Sequence, residues 1–365
     1  MSKKVRAAVL AGPNKIVIQD FDMPEIGRED GLLKVEMAGV CGTDPKRYSG
    51  KVKGPADYPI IMGHEILGRI AEVGDLASER WRVKKGDRVV VEASVRCGYC
   101  SKCINGDYRF CENQAGYGGH FVSASTPPHL WGAYAEYMYL APGCLVYKIS
   151  EEVPAKAAVL VNAVVADALQ WGRLEGNFCI GDTVVIQGVG QQGLCQVIIA
   201  KESGCNPIIV TGLSQDSERF KLAKKFGADY IITADREDVI GKVRELTNGR
   251  MADVVVDVTG NTQSIPNSID LVKKQGTLVL PTIVGEEVVT SIATDKIVRG
   301  NIKILGVFSC DIRGVESAIK LVESRKYPIE EIVSHIFPLE EAEKAVQTAA
   351  GYFKDIYPLK VVIKP

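Results

Sequence analysis

The sequence has no apolar run long enough to cross a membrane and no charge excess of either sign. A spanning helix needs about 20 consecutive apolar residues, and no stretch of this chain approaches that. With 44 basic and 45 acidic residues the formal net charge is -1, which leaves no electrostatic footprint for nucleic acid or an anionic lipid surface. The opening Met1-Ser-Lys-Lys-Val-Arg6 leads into only a short apolar stretch, so no secretory leader is expected. Internal repeats and low-complexity tracts are also lacking. What remains is the composition of a soluble globular protein, 46% hydrophobic and 24% charged, and 365 residues are expected to form two domains.

Cysteine is the residue the chain does not lack. Four of the ten are packed as Cys97, Cys100, Cys103 and Cys111, spaced C-x2-C-x2-C-x7-C. Four thiolates this close can close a tetrahedral shell around one zinc ion and leave no position for substrate, so the cluster is expected to be structural. Cys144, Cys179, Cys195, Cys205 and Cys310 are scattered singly. Clustered metal ligands with isolated apolar thiols fit a reducing compartment, and a cytoplasmic location is expected.

The texture changes near residue 151. Before it, Lys15–Gln19, Leu32–Glu36 and Gly86–Val91 read as strands between loops at 50–59 and 116–128. After it, Pro154–Leu174 reads as a helix opened by proline, followed by strands at Thr183–Gln187, Pro207–Val210, Tyr230–Ile232, Asp253–Asp257 and Thr277–Leu280. Helices are predicted at Gln192–Ser203 and Glu218–Phe226. Strand and helix alternating at this interval predict an α/β, doubly wound parallel sheet. Two more helical segments and a strand, Leu359–Ile363, close the chain.

Gly188-Val-Gly190-Gln191-Gln192-Gly193 is a G-x-G-x-x-G fingerprint set between a predicted strand and a predicted helix. The glycines permit a tight turn, approach to a pyrophosphate and close helix packing, so these residues are expected to bind NAD or NADP. The acid that normally ends the next strand is missing, and Gly212 stands there. Its loss leans toward NADP, with Ser214 and Arg219 as candidate phosphate ligands, while Asp216 could restore an acid if the loop folds back. The choice between the two cofactors is open at this level. Thr259, after the Asp253–Asp257 strand, is grouped with the cofactor contacts.

Cys41-Gly-Thr43-Asp44 and Gly63-His64-Glu65 carry a second set of metal-type residues. Cysteine and histidine suit zinc, and with a third ligand they would leave one position for a substrate oxygen. There zinc would polarise a carbonyl or acidify an alcohol, and Thr43 would relay the hydroxyl proton. Hydride transfer belongs to the nicotinamide.

These motifs, with the four-cysteine cluster, Gly132-Ala-Tyr-Ala-Glu-Tyr137 and Phe226-Gly-Ala-Asp229 in the same order, resemble the medium-chain zinc-dependent alcohol dehydrogenase family along nearly the whole chain. The resemblance implies a GroES-like β-rich catalytic domain from residues 1–160 completed by 307–365, and a Rossmann domain over 161–306. It implies a homodimer or homotetramer acting on a small alcohol or ketone, and it places Lys360 within reach of cofactor phosphate. Two residues depart from the pattern. The position of the third catalytic ligand falls on Asn162, so that Glu65 is expected to complete the shell with Cys41 and His64, and Lys46 replaces a histidine that ends the proton relay in many relatives. The expected function is interconversion of a secondary alcohol or polyol and its ketone. The alternatives are a zinc-free reductase of the same superfamily and a non-catalytic NAD(P)-binding protein. His120, His129 and His335 are expected in packing or solvent contacts. Trp131 is expected to anchor its loop, and Tyr48, Tyr58 and Phe308 are weaker pocket candidates.

Overall fold

The computed structural model describes residues 4–52, 56–119, 121–285 and 288–365. They form two compact units, one of Met1–Asn162 with Ile319–Pro365 and one of Ala163–Ala318.

The first unit is β-rich. Its main sheet runs Val146–Lys148, Arg88–Val91, Glu65–Val73, Gly31–Gly39, Lys360–Lys364 and Val333–Pro338, with Tyr137–Leu140 also pairing to Gly31–Gly39. Most pairs are antiparallel, and the last is parallel. Lys15–Asp22, Lys4–Gly12 and Ile60–Ile61 make a second, three-stranded sheet. Leu33, Ile66, Val89, Met138 and Ile363 fill the core between them. The near-continuous burial of Gly31–Gly39 and Arg88–Val91 explains why those strands read as apolar runs with only partial alternation.

The second unit is an α/β layer built on six parallel strands. In chain order these are Val184–Gln187, Ile208–Gly212, Tyr230–Thr233, Ala252–Asp257, Val272–Leu280 and Lys303–Gly306. Across the sheet they lie third, second, first, fourth, fifth, sixth. The chain therefore reverses direction between the first and fourth strands, the switch point at which doubly wound sheets bind ligands. Val185, Ile209, Val255 and Leu278 sit at the centre of its core.

The helix expected over Pro154–Leu174 takes a different form. One α turn spans Ala155–Ala158, and wider π-helical segments follow at Val161–Ala166 and Leu169–Glu175. Nearly every residue from Ala157 to Ala166 is buried, so the apolar pattern carries no period that would separate the two helix types.

Several side chains settle into packing roles. His129 stacks on Phe21 with Nδ1 2.9 Å from the Ala124 carbonyl, and His335 stacks on Phe337. Trp131 donates Nε1 to the Thr126 carbonyl and packs on Tyr117 and Tyr139 as a loop anchor. Tyr48 donates to Glu343 and accepts from Gln347, and Tyr58 lies 3.3 Å from the Arg47 carbonyl. His120 lies outside the described residues. No described helix is long and apolar enough to cross a membrane.

Candidate metal centres and dinucleotide site

The four-cysteine lobe is closed at its base by a ribbon of Ser94–Val95 and Ala115–Gly116. Between them the short helix Ser101–Ile104 and the turn Tyr108–Phe110 bring the four thiols together, all sulfur atoms lying within 4.8 Å of one another. Cys97 and Cys103 are 3.9 Å apart, as are Cys100 and Cys111. A tetrahedron with Zn–S bonds of about 2.3 Å has edges of about 3.8 Å, so the thiols are already spaced for zinc. Backbone N–H groups of Cys97 and Cys100 donate to Cys111 and Cys97 sulfur. Burial works to raise the Cys97 thiol, but N–H donors from Tyr99 and Cys100 outweigh it and pull it down to about 6. The lobe is tied to the sheet by Glu92, which accepts from Tyr108 at 3.0 Å and Tyr147 at 2.5 Å.

The second set also converges. Cys41 follows the strand Gly31–Gly39, and Glu65 opens the antiparallel strand beside it in register with Gly39. Ligand atoms of Cys41, His64 and Glu65 lie within 4.8 Å of one another. Gly39 makes this possible, because a Cβ there would fall 1.9 Å from Glu65 Oε2. Asp44 organises the turn from a buried position. Its Oδ2 accepts from the Cys41 N–H at 2.8 Å and the Tyr134 hydroxyl at 2.9 Å, and its Oδ1 is 3.8 Å from His64 Nδ1. Burial works to lower the His64 imidazole, yet the negative charge of Cys41, Asp44 and Glu65 pushes it up to about 9. This surplus of negative charge favours a divalent cation among the same ligands.

Thr43 starts the helix Thr43–Tyr48 after Gly42, and no side chain caps that helix. Its Oγ1 is buried without a hydrogen-bond partner among the described residues. Asn162 is buried too, with Nδ2 donating to the Val91 carbonyl at 2.6 Å. The three anionic or imidazole donors and the orphaned Thr43 hydroxyl fit a catalytic zinc.

Lys360, expected to reach cofactor phosphate, is joined to a carboxylate. It is 2% exposed, and its Nζ bonds Glu65 Oε1 at 2.7 Å and the Val40 carbonyl at 3.0 Å. The strand Lys360–Lys364 runs inside the sheet next to Gly31–Gly39, which points the ammonium inward at a buried carboxylate. Sequence reasoning missed this pair, as well as the roles of Asp44, Tyr134 and Gly39. Asp44 and Tyr134 stand inside quoted motifs, but nothing in a linear sequence signals that they touch.

In the second unit Gly188 lies against Thr259, and a Cβ on Gly193 would sit 1.9 Å from the Gly188 carbonyl. Gly190 precedes the helix Gln191–Glu202, whose first turn has no side-chain cap, and a Cβ there meets open space. Gln191 and Gln192 each bury an Oε1 with no partner. Open space at the second glycine, uncapped N–H groups and two orphaned amide oxygens fit a dinucleotide cradle. Thr259 is drawn into the turn itself, with Oγ1 donating to Asp257 at 2.7 Å. Ser214 and Arg219, expected at a phosphate, are each joined to a carboxylate instead. Ser214 Oγ donates to Asp235 at 2.6 Å, and Arg219 pairs with Asp216 at 3.1 Å.

Residues 27–151 match the alcohol dehydrogenase GroES-like domain model, and residues 193–324 match the zinc-binding dehydrogenase model. A protein described as a probable alcohol dehydrogenase from Mycobacterium tuberculosis is 35% identical over 99% of this chain and 98% of its own length.

The chain belongs to the zinc-type medium-chain alcohol dehydrogenase family.

An erythritol/L-threitol dehydrogenase of Mycolicibacterium smegmatis is 33% identical, covering 96% of this chain and 95% of that one. The crystal structure of an alcohol dehydrogenase from Thermotoga maritima superposes with a TM-score of 0.89 at 29% identity, over the full length of both chains. Membership in this dehydrogenase family makes the protein an oxidoreductase acting on CH–OH groups. The expected GroES-like and Rossmann-type architecture is the one observed.

Proposed function

We propose that the protein interconverts a secondary alcohol or polyol and its ketone with NAD(P), using one zinc at Cys41, His64 and Glu65 and a second, structural zinc in the four-cysteine lobe. The observation that carries this reading is the convergence of those three ligands, together with a Thr43 hydroxyl two residues from Cys41 that has no partner among the described residues. When bound, zinc supplies a Lewis acid for the C–O bond and the nicotinamide supplies or accepts the hydride. Thr43 Oγ1 would exchange a proton with the substrate hydroxyl, since no group among the described residues hydrogen-bonds to it. Asp44 holds the Cys41 turn and faces His64, which keeps both ligands oriented. Gly188, Gly190, Gln191, Gln192 and Gly193 would hold the pyrophosphate by backbone N–H groups and the helix dipole. The same reading expects a cytoplasmic homodimer or homotetramer.

The test is zinc content and reduced-nicotinamide absorbance, measured on wild type and Cys41→Ala during a screen of polyols, secondary alcohols and ketones. Loss of one zinc and of all turnover in the variant is the expected result. Unchanged turnover in Cys41→Ala would move the zinc-free reductase ahead. No turnover with any substrate, although NAD(P) binds, would favour a non-catalytic binding protein.

A further inference from the structure

The Rossmann-type unit lacks an acid at the end of its second strand, and the room for a side chain there is already filled. A Cβ on Gly212 would fall 2.7 Å from the Phe220 ring and 2.8 Å from Val189. The space an aspartate would need at that position is taken by two apolar side chains. An acid is nevertheless present at the same sheet edge, carried by the turn after the neighbouring strand Tyr230–Thr233. Gly212 pairs in register with Thr233, and Asp235 follows two residues later. The Ser214 N–H donates to Asp235 Oδ1 at 2.7 Å, and its hydroxyl donates to Oδ2 at 2.6 Å. Each carboxylate oxygen is thereby pinned by one bond, while a carboxylate offers about four acceptor sites in all. Acceptor capacity for two hydroxyls remains on an exposed, oriented group.

We propose that Asp235 is the residue that reads the adenosine ribose, and that it selects NAD over NADP. This rests on the dinucleotide reading above. The neighbouring charges leave Asp235 that role. Asp216 is buried, with Oδ2 accepting from the Leu213 N–H and Oδ1 paired to Arg219. Glu237 accepts from the Thr233 N–H at 2.7 Å. Arg236 adjoins Asp235 and helps to lower its pKa, behind the larger effect of the Ser214 hydroxyl. Ser214 and Arg219, the groups the sequence offered to a 2′-phosphate, are committed to carboxylates, and Arg236 has the Asp235 charge beside it. A phosphate dianion would meet the Asp235 charge at the place where a ribose diol finds an acceptor.

Calorimetric titration with NAD+ and with NADP+ tests this on wild type, Asp235→Asn and Glu237→Gln. Asp235→Asn keeps the shape and the exposed position while removing the charge, and Glu237→Gln removes an equal charge close by. Wild type should bind NAD+ roughly tenfold or more tighter than NADP+, and Asp235→Asn should bring that ratio close to one. Glu237→Gln should leave it within about twofold. Tighter NADP+ binding by wild type, an unchanged ratio in Asp235→Asn, or an equal shift in Glu237→Gln would overturn the assignment. Binding of neither dinucleotide would overturn the cofactor reading along with it.

Discussion

Thr43 keeps a hydroxyl buried without a hydrogen-bond partner, a burden of roughly 1–3 kcal/mol that a purely structural residue would not carry. Thr43→Val is therefore expected to leave the melting temperature unchanged or slightly raised, while kcat falls by about 100-fold or more. A variant that lost stability together with activity would show the hydroxyl to be structural. Lys360 presents the opposite case. Its ammonium and the Glu65 carboxylate are both almost fully buried, so removing one charge leaves the other stranded. Lys360→Met should cost roughly 3–5 kcal/mol in denaturant unfolding, and adding Glu65→Gln should restore much of it. Additive losses in the double variant would mean that the pair is not coupled.

The glycine turn and the helix Gln191–Glu202 separate folding from binding at the scale of one element. Gly193→Ala drives a methyl into the Gly188 carbonyl, so the helix must shift from its strand and the protein should melt several degrees lower. Gly190→Ala meets only open space at a backbone conformation open to alanine. It should preserve the melting temperature and weaken dinucleotide binding about tenfold or more, as read by titration calorimetry. If both variants melted alike and bound alike, the second glycine would have no ligand role. The fingerprint was legible in the sequence because its three glycines stand at a fixed local spacing between a strand and a helix, and the third packs directly on the first. The π-helical segment Val161–Ala166 was not legible, since a nearly fully buried run offers no polar face to set a period.

At the scale of the whole molecule the first unit depends on chain from both ends. Lys360–Lys364 lies between Gly31–Gly39 and Val333–Pro338, and Val361, Val362 and Ile363 are buried there. Deleting residues 360–365 would detach the edge strand Val333–Pro338 from that sheet, expose the apolar side of Gly31–Gly39 and leave Glu65 without its cation. The truncated protein is expected to be insoluble or to lose cooperative unfolding by circular dichroism. Retention of a normal transition would mean that the strand is dispensable. The second unit runs unbroken from Ala163 to Ala318, so its sheet needs no strand from either end of the chain.

The sequence by itself determined the parts whose chemistry is close in chain order. Cys97 to Cys111 and the glycine turn could be read from spacing, because few other arrangements satisfy those residue types, and Cys41 with His64 was recognised by residue type, with Glu65 added only through the family resemblance. The tertiary structure alone decided what lies between distant segments. It joined Lys360 to Glu65, set Tyr134 against Asp44, bonded Asn162 to Val91, and brought Asp235 to Ser214 in place of an acid at Gly212. Each is a contact between strands or loops remote in sequence, and which strands become neighbours is settled by sheet order and burial, quantities that a linear pattern does not carry.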